Sequence, residues 1–251
     1  MRGHAHEHVA AELREAILRG DHPPGTRLPK HADLAERYGV SEIVIRKAVD
    51  DLKNRGLVET RGRGGTTVRE RPPVRRISMD RYHADAGPQI VPQTSFTRDA
   101  GVVWSEYRLD KAYRWIAADT SLAGLFGADP GSRVLERRFV FYAKGVPSQM
   151  SRSCLLAADV EGTAVADPKH EPWPGGNIGQ LRSLDIEVDE VIEETVVRMP
   201  TAEESAILAI GGGVPVFAIT RRMLSRGRVV EVADPIVIPG DRAVRVDRIL
   251  L

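Results

Sequence analysis

The sequence contains a single cysteine, Cys154, among its 251 residues. One thiol cannot form a disulfide within the chain, so we expect a protein of a reducing compartment. The chain also lacks an apolar run long enough to cross a bilayer, and its first residues, M-R-G-H-A-H-E-H, contain no hydrophobic signal core. These absences predict a cytoplasmic protein with no membrane partner.

A large excess of either charge is also missing, because the formal net charge of the chain is +1. The charges are nevertheless unevenly placed. Residues 1–76 hold 16 Lys and Arg against 11 Asp and Glu, and the remainder holds 20 against 24. A basic head followed by a mildly acidic body is typical of a nucleic-acid-binding domain joined to a second domain. The length also favours two domains, and 42% hydrophobic residues suffice for a core in each.

The stretch from Val40 to Leu52, V-S-E-I-V-I-R-K-A-V-D-D-L, has the apolar spacing of an amphipathic helix. Its apolar residues recur at the helical period and predict one buried stripe, made of Ile45, Ala48, Val49 and Leu52. We expect Ser41 to cap the helix, and Ile43, Arg46 and Lys47 to point outward. Such a helix can enter a major groove after a short turn. By itself the pattern also fits an ordinary surface helix with solvated charges.

The neighbouring residues favour the DNA-binding interpretation. A first helix is predicted around Val9 to Leu18, closed at Gly20, and a short second helix from about Ala32 to Tyr38, with Gly39 as its stop. Residues 57–60 and 66–68 read as strands on either side of the glycine-rich turn 61–65. Three helices followed by a hairpin make a winged helix-turn-helix domain, with Arg61 and Arg63 at the tip of the wing.

Residues 9–68 resemble the DNA-binding domain of the GntR family of bacterial repressors. The matching segments are L-R-E-A-I-L-R-G, P-G-T-R-L-P, D-L-A-E-R-Y-G-V-S, R-K-A-V-D-D-L, G-L-V and G-R-G-G-T-T-V. The resemblance implies a double-stranded operator as partner and a set of DNA-contacting residues: Lys30, His31, Ser41, Glu42, Ile43, Val44, Arg46, Lys47, Arg61, Arg63, Gly64, Gly65 and Thr66.

Departures from the family pattern fall at positions that would decide which operator is read. Lys30, His31 and Ala32 replace the usual capping serine and the two residues after it, and Glu42 stands where an arginine is common. Loss of the cap could cost about 1 kcal/mol. Glu42 could accept a hydrogen bond from cytosine N4, and Ile43 could pack on a thymine methyl. The alternative is a degenerate domain that binds DNA weakly.

After a Pro-rich basic connector, R-E-R-P-P-V-R-R-I, the body contains an internal repeat. The Arg137-Arg138 and Arg221-Arg222 pairs lie 84 residues apart, and each copy reads as a helix end, a glycine turn and a hairpin. Thr201, with Glu204 three residues later, predicts a capping box for the second helix. We expect an α+β domain with an antiparallel sheet and helices on one face. The predicted boundaries are residues 1–70 for the head, 71–92 for a linker and 93–251 for the body.

Residues 93–247 resemble the UTRA effector-binding domain of the HutC subfamily, whose fold is like that of chorismate lyase. The markers are T-S-F-T-R-D, R-R-F-V-F-Y, V-V-E-V-A-D and P-G-D-R. The resemblance implies a small-molecule effector and the contact residues Ser95, Phe96, Thr97, Arg138, Ser151 and Glu231. Each of these could instead be structural, with Phe96 in the core and Arg138 paired with Glu231.

Two further departures bear on the effector. Val140 replaces the second arginine of an R-x-R pair, and Ser151 replaces an expected glutamate. Paired arginines hold phosphate bidentately, so we expect an effector less charged than a sugar phosphate, offering a carboxylate or hydroxyls. The segment 167–176, D-P-K-H-E-P-W-P-G-G, has no place in the common pattern and is expected to form a rigid flap or a dimer contact.

Signals for an enzyme are weak. His4, His6 and His8 alternate but have no partner cluster, Gly62-x-Gly64-Gly65 is not a nucleotide-binding motif, and Cys154 lies in an apolar strand. We therefore expect no catalytic residue, metal or cofactor. The interpretation is a homodimeric, effector-released repressor of a palindromic operator. A lyase-like enzyme tethered to DNA, or a purely structural body, is the alternative.

Overall fold

The computed structural model describes residues 5–60, 65–70, 74–77, 82 and 94–246. The chain divides into two compact units. The first comprises Met1–Arg71 and Met199–Pro215, and the second comprises Pro72–Arg198 and Val216–Leu251. No helix within the described ranges is both long and apolar enough to span a bilayer.

The helices and strands follow one another along the chain in this order: α1 (Ala5–Arg19), α2 (His31–Tyr38), α3 (Glu42–Asn54), β1 (Val58–Thr60), β2 (Thr66–Val68), β3 (Val74–Ile77), α4 (Ser95–Ala100), β4 (Tyr107–Ala117), α5 (Thr120–Phe126), β5 (Arg133–Ala143), β6 (Val146–Leu156), α6 (Ala157–Val160), α7 (Gly176–Arg182), β7 (Glu190–Arg198), α8 (Ala202–Ile207), β8 (Val216–Ser225), β9 (Arg228–Pro239) and β10 (Ala243–Val246). Short 3-10 turns lie at Trp104–Glu106, Ala164–Ala166 and Pro168–His170.

The first unit has the predicted three helices and hairpin. The apolar stripe of α3 is buried against Leu13 of α1 and Leu34 of α2, which confirms the predicted helical period. Strands β1 and β2 pair antiparallel, and residues 25–28 run beside β2 through backbone hydrogen bonds to Thr66 and Val68. The wing therefore grows from a small sheet packed on the helices.

The helix ends differ in part from the sequence-based prediction. Helix α2 begins at His31, and Gly39 ends it in the left-handed conformation. Lys30 occupies the N-cap position of α2 without a side-chain cap bond, in line with the loss of the usual serine. Ser41 occupies the N-cap of α3, but its side chain makes no cap hydrogen bond either. The capping role expected for the Ser41 hydroxyl is therefore wrong, although its position is right.

The first unit also includes a segment from much later in the sequence. Helix α8 starts with the predicted capping box of Thr201 and Glu204, and the glycines that follow it reach the end of α3. The amide of Gly213 donates to the carbonyl oxygen of Asn54 at 3.0 Å. A Cβ on Gly213 would lie 2.6 Å from that oxygen, so only glycine permits this approach.

In the second unit one antiparallel sheet carries the strands in the order β4-β5-β6-β9-β8-β7. The two predicted hairpins are β5–β6 and β8–β9. Their turns are Lys144-Gly145 and Arg226-Gly227, each with two residues of positive φ. Such turns match the twist of the flanking strands. The hairpins meet at β6 and β9, and the edge strands β4 and β7 complete the sheet. Strands β4 and β7 were not predicted from the sequence, and both are largely exposed.

Helices cover both faces of this sheet, so the prediction of helices on one face is wrong. Helix α5 packs with Val134 and Cys154 on one face. Leu181 of α7 packs with Leu135 and Leu155 on the other. Because Val134 and Leu135 are adjacent and both buried, neither face can be left to solvent.

The predicted linker contains a strand. Within residues 71–92, β3 pairs in parallel with β10, near the other end of the second unit's sequence. The second unit accordingly starts at Pro72 rather than after an extended connector.

The glycines after α8 yield a stability prediction. Gly213→Ala should lower the free energy of unfolding of the first unit by about 1–3 kcal/mol, because the new methyl overlaps the Asn54 carbonyl. Gly212→Ala is the matched control, since nothing lies within 4 Å of the position that its Cβ would take. Calorimetric unfolding of the full chain measures both, and equal transition temperatures for the two variants would contradict the packing described.

Candidate DNA-binding face and effector site

The outward face of α3 carries an isoleucine among charged residues. Ile43 is 64% exposed, and the neighbouring Glu42, Arg46 and Lys47 are exposed as well. Val44 is half-buried. An exposed isoleucine flanked by cations contributes nothing to the core, so this face is available to a partner that offers both apolar and anionic groups.

Helix α2 packs against α3, and the first turns of both helices lack a side-chain cap. Neither Lys30 nor Ser41 uses its side chain as a cap, so the first-turn amides of both helices have no cap acceptor from these residues. Helix N-termini of this kind bind phosphate through their amides and dipole. Lys30 and Ser41 are exposed and His31 is half-buried at this position.

The structure describes only the base of the wing. Gly65 is exposed with a φ of +79°, and Thr66 pairs with Thr60. Arg61, Arg63 and Gly64, predicted to contact DNA, lie outside the described residues.

In the second unit the two arginines of β5 lie on opposite faces of the sheet. Arg138 is half exposed and donates through Nε to Glu136 Oε1 at 2.9 Å. Arg137 is fully buried on the other face, in step with Leu135 and Phe139. Successive strand residues alternate between faces, so a shift of one residue exchanges an exposed arginine for a buried one.

Arg137 is the first member of a buried hydrogen-bonded chain that crosses the sheet. Its Nη1 donates to Gln180 Oε1 and its Nη2 to Ser153 Oγ, both at 2.6 Å. Ser153 Oγ donates to Glu231 Oε1 at 2.7 Å. Arg221 then donates to both carboxylate oxygens of Glu231, at 2.7 and 3.1 Å.

The surroundings of Glu231 keep Arg221 protonated. Glu231 is fully buried, and Asn177 of α7 adds a hydrogen bond of 3.0 Å to it. Burial would lower the pKa of Arg221, but the adjacent Glu231 outweighs that effect and raises the pKa above its ordinary value. The guanidinium of Arg221 therefore stays charged.

The segment 167–176 covers the same face. Glu171 Oε1 accepts from Gln180 Nε2 at 2.6 Å and from Tyr113 OH at 3.0 Å, and Trp173 packs in the core above Leu135. The segment therefore forms a cover fastened to β4 and α7, which agrees with the predicted flap.

Aromatic rings line the same face of β4 and β5 toward α4. Ring centroids are 5.9 Å apart for Tyr113 and Phe139, 5.9 Å for Phe139 and Phe141, and 5.0 Å for Phe141 and Phe96. The face thus combines a buried polar chain at one end with a run of rings at the other.

Comparison with known proteins identifies both units. Residues 5–68 match the family described as bacterial regulatory proteins, gntR family, and residues 112–243 match the UTRA domain. An uncharacterized HTH-type transcriptional regulator of Streptomyces coelicolor is 30% identical over 90% of this chain and 85% of its own length. The chain belongs to the GntR family and carries a UTRA domain. It is a ligand-responsive transcriptional regulator and not an enzyme.

Other GntR-type relatives are similar over most of their length. The HTH-type transcriptional repressor PhnF of Mycolicibacterium smegmatis is 29% identical over 86% of this chain and 80% of its own. The histidine utilization repressor of Klebsiella aerogenes is 27% identical over 94% and 91%. The PhnF crystal structure superposes with a TM-score of 0.53 at 24% identity, covering 96% of this chain and 99% of that one. At that identity the structural likeness shows the fold alone.

The effector residues expected of this GntR regulator are only partly brought together. Ser151, Glu231 and Phe96 lie along the face just described, Phe96 as a buried core ring. Ser95 is half-buried on α4, and the Thr97 side chain is engaged in a capping box with Thr94. Arg138 is separated from Glu231 by the sheet itself, so these two do not pair.

Other polar side chains of this buried face were not predicted from the sequence: Arg137, Gln149, Ser153, Asn177 and Gln180. A signal for Arg137 was present, because it alternates in step with the apolar residues at 135, 139 and 141.

The groups considered for enzyme chemistry have other surroundings. Cys154 is buried in the apolar core, and burial raises the pKa of its thiol to about 11, so it is not a thiolate at neutral pH. Within the described ranges no cluster of His, Cys, Asp and Glu could hold a metal ion. His6 and His8 lie in α1, and His4 is outside the described residues.

The opposite face of the sheet holds an ionic cluster around Glu136. Its side chain is 1% exposed and accepts from Nε of Arg114 at 2.6 Å, of Arg152 at 2.7 Å and of Arg138 at 2.9 Å. Burial would raise the pKa of Glu136, but these three hydrogen bonds together lower it to about 2. Arg138 is therefore held in an ion pair on this face.

This cluster predicts a pH dependence of stability. Glu136→Gln should lower the free energy of unfolding at pH 7 by about 2 kcal/mol, because it leaves three arginines without their carboxylate. Since the folded-state pKa is depressed, the contribution of Glu136 is present above its unfolded value and is lost as the pH falls toward about 2. The stability gap between variant and wild type should thus narrow in acid.

Thermal unfolding between pH 7 and pH 3 measures that gap. Glu161→Gln is the control, because Glu161 forms an exposed pair with Arg133 that should matter little. A gap for Glu136→Gln that stayed constant or widened in acid would contradict the assigned pKa.

Proposed function

We propose that this regulator is a homodimeric repressor that binds a palindromic operator and is released by a small effector held in its second unit. The observation that carries the proposal is the outward face of α3, where Ile43, Arg46 and Lys47 project from a helix whose other side is core. Support comes from the relatives, since PhnF and the histidine utilization repressor bear the name of repressors. A repressor of bacterial DNA would act in the cytoplasm.

The contacts with DNA follow from the chemistry of that face. Arg46 and Lys47 suit guanine edges or phosphates, Ile43 suits a thymine methyl, and Glu42 can accept only from a donor such as cytosine N4. The uncapped starts of α2 and α3 suit phosphate oxygens. A two-fold dimer presents two such helices and so requires two inverted half-sites.

Release by the effector is a shift between two states of the dimer. An effector that binds more tightly to the state whose two heads do not match the half-site spacing lowers the affinity for the operator. The buried face of the second unit, between α4 and α7, supports an effector site there.

Replacing Arg46 tests the DNA assignment. Arg46→Ala should weaken binding to an operator by about 5- to 150-fold, since a good base or phosphate contact is worth about 1–3 kcal/mol, and should reduce the salt slope by about one. The probe is a duplex enriched from random DNA by the wild-type chain. Fluorescence anisotropy at several salt concentrations gives the affinity and the slope.

Lys144→Ala is the control for charge. It removes one exposed cation from the β5–β6 turn of the second unit and should leave operator affinity unchanged. If the Arg46 variant kept the wild-type affinity and slope, α3 would not be the recognition helix.

A further inference from the structure

Arg137 differs from Arg221 in lacking a direct counter-ion. Arg221 is held by both oxygens of Glu231, whereas no carboxylate of the described residues lies within ion-pair distance of Arg137. Its hydrogen-bond partners are the neutral side chains of Gln180, Ser153 and Tyr113, and its Nε is buried with no acceptor. A buried guanidinium in this condition is costly, and an anion that bonded to Nε would remove the cost.

The internal repeat also places a second unsatisfied group, Gln149, on the first hairpin. Gln149 follows the turn glycine Gly145 by four residues, as Glu231 follows Gly227. Each lies opposite the matching residue of its hairpin, Phe141 for Gln149 and Met223 for Glu231. The first copy thus has an amide where the second has a carboxylate, and Gln149 Oε1 is itself buried without a donor.

Three successive cross-strand pairs connect these two unsatisfied groups along one face. They are Arg137 with Ser153, Phe139 with Ser151 and Phe141 with Gln149. Four strand residues span about 13 Å, which is the length of one ring with a short acid side chain. Phe139 lies between the two groups, so a ligand of that length would lie over its ring, which is 5.9 Å from the rings of Tyr113 and Phe141.

The charges of the face limit the ligand to a single negative charge. Arg221 is already neutralised by Glu231, so Arg137 is the guanidinium that can meet a ligand directly. Glu231 and Glu171 each lie one neutral side chain away from Arg137, beyond Ser153 and Gln180. A phosphate dianion would face these carboxylates with one arginine to hold it, whereas a carboxylate needs no more than one.

We propose that the effector is a flat aromatic carboxylate whose acid group binds Arg137, whose ring lies along Phe139 and Phe141, and whose far end donates a hydrogen bond to Gln149. This rests on the proposed effector role of the second unit and names the ligand class. Because Arg137 is fully buried, access requires the cover formed by residues 167–176 to open, which breaks the bonds of Glu171 with Tyr113 and Gln180.

The test is calorimetric titration of the full chain with 4-hydroxycinnamate. We expect saturable binding, weaker by about tenfold for 4-hydroxycinnamamide, which lacks the charge, and weaker for cinnamate, which lacks the far donor. Glucose 6-phosphate should not bind. Tighter binding of glucose 6-phosphate, or no binding of 4-hydroxycinnamate, would overturn the proposal.

Two adjacent arginines provide matched variants. Arg137→Gln should reduce the affinity for 4-hydroxycinnamate by about tenfold or more, and Arg138→Gln should leave it unchanged, because Arg138 faces the other side of the sheet. Circular dichroism checks the fold. If Arg137→Gln fails to fold, Arg137→Lys keeps the charge without the fork and should still lose affinity.

Gln149→Leu tests ligand specificity, which would not change if Gln149 had only a structural role. It should abolish the preference for 4-hydroxycinnamate over cinnamate. A loss of affinity in the Arg138 variant with none in the Arg137 variants would overturn the assignment. If the ligand fails while Arg46→Ala still loses operator affinity, the ligand class is wrong and the DNA-binding function stands.

Discussion

The second unit depends on one buried ionic chain, from Arg137 through Ser153 and Glu231 to Arg221. Its members come from β5, β6, β9 and β8 in turn, so it crosses the seam where the two halves of the repeat join. A polar chain of this kind holds its strands in one register only when each member is satisfied. Three members meet that condition within the protein, and Arg137 does not meet it fully. The seam is therefore the structural centre of the domain. It is also where an added hydrogen-bond acceptor would stabilise the domain most, by bonding to Arg137.

The two hairpins are similar in shape but differ in charge, and the site arises from that difference. Both turns have the same pair of left-handed residues, and the first strand of each hairpin, β5 or β8, carries a buried arginine. The second hairpin supplies Glu231 to Arg221, whereas the first supplies the neutral Ser153 to Arg137 and has Gln149 where Glu231 stands relative to the turn. The first hairpin therefore has a cation, an amide oxygen and a row of rings on one face.

The sequence predicted most accurately the elements in which apolar residues recur with a clear period. The stripe of α3 is long and covered on one side alone, so Ile45 and Leu52 were correctly placed inside and Ile43 outside. In β5 the signal is weaker, because helices cover both faces and Val134, Leu135 and Glu136 are all buried. Only the alternation of Arg137 with the apolar residues at 135, 139 and 141 separates it from Arg138. The family resemblance then favoured Arg138.

Other differences between the predicted and the observed elements arise from strand pairing between residues far apart in the sequence, which local sequence patterns do not show. Strand β3 exists because β10 pairs with it across most of the second unit's sequence, and residues 74–77 alone read as a basic connector. The edge strands β4 and β7 carry many charges because one side of each has no partner strand, which hid them from a search for apolar alternation. Ser41 has a capping residue's position and backbone, but the hydroxyl's rotamer is not set by sequence.

Both sites contain polar groups of the protein that have no partner, but only the groups of the DNA-binding site are exposed to water. At the starts of α2 and α3 the protein leaves amides without a side-chain cap, and at Arg137 it leaves a guanidinium nitrogen without an acceptor. The amides are at the surface, where water hydrates them and salt screens their attraction for phosphate. Arg137 is buried, so neither water nor salt substitutes for its missing partner. DNA binding should therefore weaken steeply with ionic strength, whereas effector binding should change little and should stabilise the second unit against unfolding.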